Sequence, residues 1–124
     1  MDSIAELTNH INTFRDARDW KQFHNPKDMA VSISIEAAEL LENFQWKNAT
    51  ECEEHVQINR EAVADEMADV AIYLFELADL LEVDLGREML RKLKKNAAKY
   101  PVENLKAQIK NIMSWVNRLM RFSW

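Results

Sequence analysis

Apolar residues recur about every three or four positions along most of the chain, the spacing of one face of an α-helix. The first such stripe consists of Ile4, Leu7, Ile11 and Phe14. Ser3 and Glu6 have the spacing of a capping box and mark its start. We therefore predict a first helix from near Ser3, followed by an ordered loop over residues 15–27, where the helical period is lost.

Asn25 and Pro26 predict the start of a second helix, because Asn is a favoured N-cap and Pro is favoured at the first helical position. We expect this helix to end near Trp46. Its apolar stripe is Ile33, Ala37, Leu40, Leu41 and Phe44. Thr50 and Glu53 then have capping-box spacing and predict a third helix, which continues to about Leu81 and is apolar almost all round after residue 66. Such a helix is expected to be central and buried.

Asp84 predicts the cap of a fourth helix that ends near Lys99, since Pro101 disfavours a helical residue before it. A fifth, amphipathic helix is predicted over residues 102–122. The chain has one glycine and two prolines in 124 residues, and this scarcity of turn residues favours long helices over short strands. We predict an all-α fold.

The charge balance restricts the partners of the chain. Its net charge of −5 argues against direct binding of a nucleic-acid polymer, although carboxylates could bind phosphates through a divalent cation. Residues 102–124 differ from the rest, with four basic residues and one acidic residue. Cys52 is the only cysteine, which excludes an internal disulfide. Neither a signal peptide nor an apolar run of membrane-spanning length is recognisable, so we expect a cytoplasmic protein.

Two pairs of carboxylates stand out. Glu36 and Glu39 lie three residues apart on the second helix, and Glu66 and Asp69 lie three apart on the third. Residues at this spacing are neighbours on a helix surface, so two facing pairs would place four carboxylates around one point. An all-oxygen site suits Mg²⁺, with Mn²⁺ as a possible substitute. The alternative is that these carboxylates lie on a solvated face; Glu76 could extend the acidic face or make a polar contact inside the bundle or between chains.

Other chemistries have less support. A Glu-x-x-His di-iron pattern is absent, and a single glycine excludes a phosphate-binding P-loop. Four side chains could stack on a nucleobase: Trp20, His24, Trp46 and Tyr73. On periodicity alone, Trp46 and Tyr73 are better explained as core residues. Three residues on one face of the fourth helix could neutralise a triphosphate or form a solvated polar face: Lys92, Asn96 and Lys99.

The chain resembles the MazG-like, all-α nucleoside triphosphate pyrophosphohydrolase superfamily, within it the dCTP pyrophosphatase-like branch. The matching blocks are residues 18–26 (RDWKQFHNP), 36–47 (EAAELLENFQWK), 65–74 (DEMADVAIYL) and 96–101 (NAAKYP). The resemblance covers about residues 4–103 and implies a four-helix-bundle-type domain over residues 1–103. Residues 104–124 would form an additional amphipathic helix that packs on the domain or on an oligomer.

The resemblance also implies roles for the candidate residues. Mg²⁺ would be held by the four carboxylates, Glu36, Glu39, Glu66 and Asp69, of which Glu39 is our choice of general base. The base and sugar would be enclosed by Trp20, His24, Trp46 and Tyr73, and phosphates contacted by Lys92, Asn96 and Lys99. The expected reaction cleaves a (deoxy)nucleoside triphosphate, dCTP or a modified dNTP, to the monophosphate and pyrophosphate in a homodimer or homotetramer, as a house-cleaning activity.

Two features depart from the family pattern. Ile35 stands where another acidic residue often precedes the first pair, and the chain continues past residue 101 with a basic amphipathic helix. Three rival hypotheses stay open: dUTP or phosphoribosyl-ATP hydrolysis, a non-enzymatic helical interaction module, and binding of a membrane surface through the last helix. We do not expect membrane binding, since packing is the commoner fate of an amphipathic stripe.

Overall fold

The computed structural model describes residues 3–122, without the side chains of residues 103–105, 121 and 122. The described part contains six α-helices, a short 3₁₀ helix at Lys21–Phe23 and no strand, so the all-α fold class is confirmed. The α-helices are α1 (Ile4–Asp16), α2 (Pro26–Glu42), α3 (Ala49–Ile58), α4 (Arg60–Leu80), α5 (Leu85–Lys99) and α6 (Val102–Phe122).

The starts of α1 and α2 are confirmed by their caps. The Ser3 hydroxyl accepts a hydrogen bond from the Glu6 backbone N–H at 3.2 Å. The Asn25 side chain accepts from the Asp28 N–H at 2.9 Å, with Pro26 at the first helical position. These contacts satisfy N–H groups that have no partner inside the helix.

The predicted end of the second helix at Trp46 is wrong, because α2 ends at Glu42 and turns follow over residues 43–46. The Asn43 side-chain amide donates to the carbonyl oxygens of Glu39 and Leu40 at 3.4 and 3.3 Å. These two carbonyls thus find a partner at the helix terminus, where intrahelical donors run out.

The single third helix is also wrong, because α3 and α4 are separate. The break lies at Asn59, whose backbone has φ −118° and ψ 34°. Helix α3 begins after Asn48, which forms the capping box with Glu51 instead of the predicted Thr50 and Glu53. Asn is the stronger N-cap of the two candidates, and the observed box exchanges hydrogen bonds of 2.9 and 3.2 Å.

Helix α4 is the centre of the packing, with α2, α1 and α3 against it. The core contains Met29 from α2 together with Val63 and Ala78 from α4. Asn12 on α1 donates a hydrogen bond to Asp79 on α4 at 3.0 Å, which joins these helices at their surface.

Burial of α4 is less complete than its apolar sequence predicts. Met67 is 58% exposed, and Ile72 and Leu74 are 39% and 38% exposed. On α2, Leu41 is also exposed. The single chain therefore leaves apolar side chains uncovered on both central helices, and large exposed apolar patches are typical of association surfaces.

Contacts divide the chain into two compact units, Met1–Leu85 and Gly86–Trp124. The first contains α1 to α4; the second contains all but the first residue of α5 and all of α6. The domain boundary at residue 103 stays a prediction. In the second unit, Leu90 and Leu93 on α5 and Ile112 and Met120 on α6 are exposed. No helix within residues 3–122 has the length and apolar character needed to cross a membrane.

Candidate functional site

Three of the four predicted carboxylates form a cluster where α2 faces α4. Oxygen atoms of Glu36, Glu39 and Glu66 all lie within 4.8 Å of one another, and the three side chains are partly buried. The helical spacing brings Glu36 and Glu39 to one side of α2, and the packing of α2 on α4 brings Glu66 to them. Such a set of oxygen donors could hold a divalent cation.

The electrostatics of this cluster are unfavourable without a positive charge. Burial, followed by the hydrogen-bond contact and the charge of Glu39 and then the charges of Asp69 and Glu66, raises the pKa of Glu36 to about 7. Burial and then Glu39 also raise the pKa of Glu66. Asp69, the fourth predicted ligand, is thus close enough to act on both residues.

Two atoms of the cluster lack the partners that buried charge requires. Oε2 of Glu36 and Oε2 of Glu66 are both buried without a hydrogen-bond partner. An unpaired buried carboxylate oxygen is costly, whereas coordination of a cation would satisfy it. The donor set therefore fits a divalent metal ion.

A cavity of about 380 Å³ lies between α1, the loop that follows it, and α4. Four predicted site residues line it: Trp20, His24, Asp69 and Tyr73. Because Asp69 also acts on the carboxylate cluster, the cavity adjoins that cluster. Helical spacing explains why Asp69 and Tyr73 share it, since they lie four residues apart on α4.

The loop after α1 fixes the position of Trp20. Asp19 has a positive φ of 55°, a left-handed conformation that turns the chain at the end of α1. The Trp20 N–H then donates to the Arg15 carbonyl at 3.2 Å. The Trp20 ring meets Phe14 edge to face at 5.7 Å between centroids, and the Arg18 guanidinium lies 3.6 Å from the Phe14 ring centroid. The Trp20 side of the cavity is therefore held in place by Phe14 and Arg15 of α1.

Tyr73 lines the cavity and is affected by acidic groups on two sides, the carboxylate cluster and Glu76. Burial raises the pKa of its phenol most, followed by the charges of Glu36, Glu76, Asp69 and Glu39. The phenol is thus neutral and within the field of both the carboxylate cluster and Glu76. A neutral Tyr beside two acidic groups can donate a hydrogen bond to either or to a bound ligand.

Trp46 is not among the residues that line this cavity, and its role toward the base and sugar stays a prediction. It lies in the turn after α2 and is 87% exposed.

The predicted phosphate contacts lie on α5, in the second unit. Lys92 and Lys99 are exposed, and Asn96 is partly buried. Its carbonyl accepts a hydrogen bond from the Tyr100 N–H at 2.8 Å, and the Lys99 ammonium lies 5.4 Å from the Tyr100 ring centroid. Their role toward phosphate stays a prediction.

Several lining residues did not figure among the predicted site residues. They are His10, Ile11, Phe14, Ile72 and Glu76. For Phe14 and Ile11 the sequence gives no signal beyond a core stripe. Glu76 does give one, since it interrupts an apolar run and lies on nearly the same side of α4 as Asp69. Its predicted polar contact inside the bundle is present, with His24 at 3.2 Å.

The chain is similar to several known proteins. Residues 31–112 match the MazG-like family. The chain is 40% identical over 91 residues to dCTP pyrophosphatase 1 from Mus musculus, covering 72% of this chain and 54% of that protein. Against dCTP pyrophosphatase 1 from Homo sapiens it is 40% identical over 90 residues, covering 71% and 53%. The chain spans about half the length of these curated relatives.

A solved structure shows the same fold. The chain resembles a pyrophosphatase from Archaeoglobus fulgidus with a TM-score of 0.77 and 44% sequence identity, over 82% of this chain and 94% of that one. Since the family match covers well over half of the chain, the predicted resemblance is confirmed: the chain belongs to the MazG-like family.

Proposed function

We propose that this chain is a Mg²⁺-dependent nucleoside triphosphate pyrophosphohydrolase that cleaves dCTP, or a modified dNTP, to the monophosphate and pyrophosphate. The observation that carries this proposal is the cluster of Glu36, Glu39 and Glu66 beside an aromatic cavity, because Asp69 lines that cavity and its charge acts on the cluster. The names of the relatives supply the substrate, as dCTP pyrophosphatases and a pyrophosphatase.

The cluster would place the metal ion. Oxygen atoms of Glu36, Glu39 and Glu66 lie within 4.8 Å of one another, and the charge of Asp69 on α4 acts on both Glu36 and Glu66. We assign Asp69 as the fourth ligand. When bound, Mg²⁺ supplies positive charge that offsets both the carboxylates and the triphosphate.

The remaining chemistry falls to side chains of the protein. We assign Glu39, whose side chain contacts both Glu36 and Glu66, as the group that takes the proton of the attacking water. The cavity beside the cluster would receive the base and sugar against Trp20, His24 and Tyr73. Lys92, Asn96 and Lys99 would hold the leaving pyrophosphate. House-cleaning of the nucleotide pool in the cytoplasm is the physiological role that fits this reaction.

We also propose that the enzyme is a homodimer or homotetramer. Apolar side chains on α2 and α4 are exposed in the single chain. A domain of this size buries a limited share of its surface by itself, so association with a second copy would add to the buried apolar area. An assembled neighbour would also offer a route for the exposed Trp46 to reach a bound nucleotide.

The test is pyrophosphate release from a panel of canonical and modified NTPs and dNTPs, with Mg²⁺ and with EDTA. We expect Mg²⁺-dependent release matched by monophosphate, with dCTP or a modified relative preferred over dUTP and phosphoribosyl-ATP. Glu39→Gln and Asp69→Asn should each lower kcat by about 100-fold or more. Glu61→Gln removes an exposed carboxylate from the same helix as Asp69 and serves as the matched control. Native rates in folded Glu39→Gln and Asp69→Asn would refute the mechanism.

A further inference from the structure

Glu76 is a buried carboxylate that the proposed chemistry does not use. It lines the cavity from α4 and is 5% exposed. Its Oε2 lies 3.2 Å from Nδ1 of His24, yet the two atoms are not aligned for a hydrogen bond, and both are buried without another partner. A polar side chain this buried normally has a hydrogen-bond partner, so this carboxylate has capacity left for a ligand.

The neighbouring charged side chains do not provide the missing hydrogen bond to Glu76. Burial raises the pKa of Glu76, while His24 and Arg15 oppose that effect and Asp16 adds to it. Arg15 is itself buried, and its Nε donates to Asp16 at 3.0 Å. Arg15 therefore acts on Glu76 only through its charge. Among the described contacts, His24 is the basic side chain that lies directly against Glu76.

The position of Glu76 along α4 indicates which part of a nucleotide it would meet. Asp69 marks the end of the cavity next to the carboxylate cluster, where phosphate would lie. Glu76 is seven residues further along α4, about 10 Å by helical rise and within about 20° of the same side. A sugar and a pyrimidine ring separate an α-phosphate from the far edge of its base, a comparable length. Tyr73 lies on α4 between the two carboxylates and lines the same cavity.

We propose that Glu76 selects the base by accepting a hydrogen bond from an exocyclic amino group, such as the 4-amino group of cytosine. This inference rests on the proposed nucleotide hydrolysis. A base with a carbonyl oxygen at that position, such as uracil, places an acceptor against an acceptor. Carboxylate groups read the cytosine amino group in the same way at nucleic-acid interfaces. A pocket built around such a contact rejects the analogue that lacks the donor, because a buried polar group is then left unpaired.

The first test compares kcat/KM for dCTP and dUTP in the wild type, Glu76→Gln and Glu76→Ala. We expect the wild type to favour dCTP, and both variants to lower the dCTP/dUTP ratio by about tenfold or more. Gln keeps the shape of Glu but offers a donor as well as an acceptor, so it should gain dUTP activity relative to Ala. Glu61→Gln should keep the wild-type ratio. An unchanged ratio in folded Glu76→Gln would overturn the inference.

A second measurement needs neither turnover nor a variant. Calorimetry would compare wild-type binding of dCMP with that of the deoxynucleotide of pyrimidin-2-one, which lacks the 4-amino group. We expect at least tenfold weaker binding of the latter. Equal affinities would overturn the inference even if the Glu76 variants failed to fold. Conversely, amino-dependent dCMP binding in the wild type that is lost in folded Glu76→Ala, without any hydrolysis, would reject the proposed reaction and leave base selection by Glu76 supported.

Discussion

Glu36→Gln should make the metal-free protein more stable while weakening its response to Mg²⁺. In the wild type, burial and then the charges of Glu39, Asp69 and Glu66 raise the pKa of Glu36 from 4.5 to about 7. A shift of this size corresponds to at most about 3–4 kcal/mol. Solvent reaches the partly exposed cluster and reduces this cost of burial and like-charge repulsion, so we expect a gain of about 1–2 kcal/mol from the neutral side chain. The melting temperature at pH 8 in EDTA should rise by about 3–8 °C.

The pH dependence of this gain identifies its cause. Between pH 4.5 and about 7 the folded wild type keeps a proton on Glu36 that the unfolded chain releases, so its stability falls as pH rises through this window. Glutamine does not titrate. The advantage of Glu36→Gln should therefore be absent near pH 4, grow through the window and stay constant above it.

The assay is thermal or urea unfolding of the wild type and Glu36→Gln from pH 4 to 8, in EDTA and in Mg²⁺. Saturation at 100 times the dissociation constant would stabilise the wild type by about 2.7 kcal/mol, and the variant should gain less. Glu61→Gln controls for loss of an exposed carboxylate and should follow the wild type in both respects. A Glu36→Gln protein that is no more stable than wild type at pH 8 in EDTA would refute the reasoning.

Three further substitutions test other parts of the structure. Asn48→Ala removes the capping box of α3 and should cost about 1 kcal/mol by urea unfolding, and no loss would contradict the cap. Met29→Ala empties the most buried apolar site and should cost about 2–5 kcal/mol, so a smaller loss would show that the core collapses around it. Trp46→Ala should leave the unfolding of a diluted, monomeric sample unchanged, since this side chain is 87% exposed, but raise KM for dCTP if an assembled neighbour uses it.

The sequence was sufficient for the helix class and for the carboxylate cluster. Three-residue spacing places Glu36 beside Glu39 in any α-helix, and the apolar content of α2 and α4 makes their packing the expected outcome. The break at Asn59 could not be read in the same way. Neither glycine nor proline marks it, and the periodic pattern continues through it, while in the structure the Asn59 side chain donates to the His55 carbonyl at 3.3 Å.

The cavity shows a second limit of sequence reasoning. Tyr73 could be placed beside Asp69 from helical spacing alone, but Trp20 reaches the same space only because Asp19 adopts a left-handed turn. Asp occasionally adopts the left-handed conformation, but the presence of an Asp in a sequence does not predict it. Trp46 is the converse case, because its place depends on where α2 ends, and that end is set by contacts of the Asn43 side chain.

The features that suit this chain to a nucleotide are also those that weaken it as an isolated chain. The carboxylate cluster gathers like charges without a cation, and Glu76 lies buried with an unsatisfied oxygen. Against these costs the buried apolar residues are Met29, Val63 and Ala78 within the described part of the chain. A cation at the cluster, a base in the cavity and a neighbouring chain over α2 and α4 would each bind the folded state alone, and each would therefore stabilise it. Occupancy of the site and stability of the fold should consequently rise together, whichever of the three is supplied first.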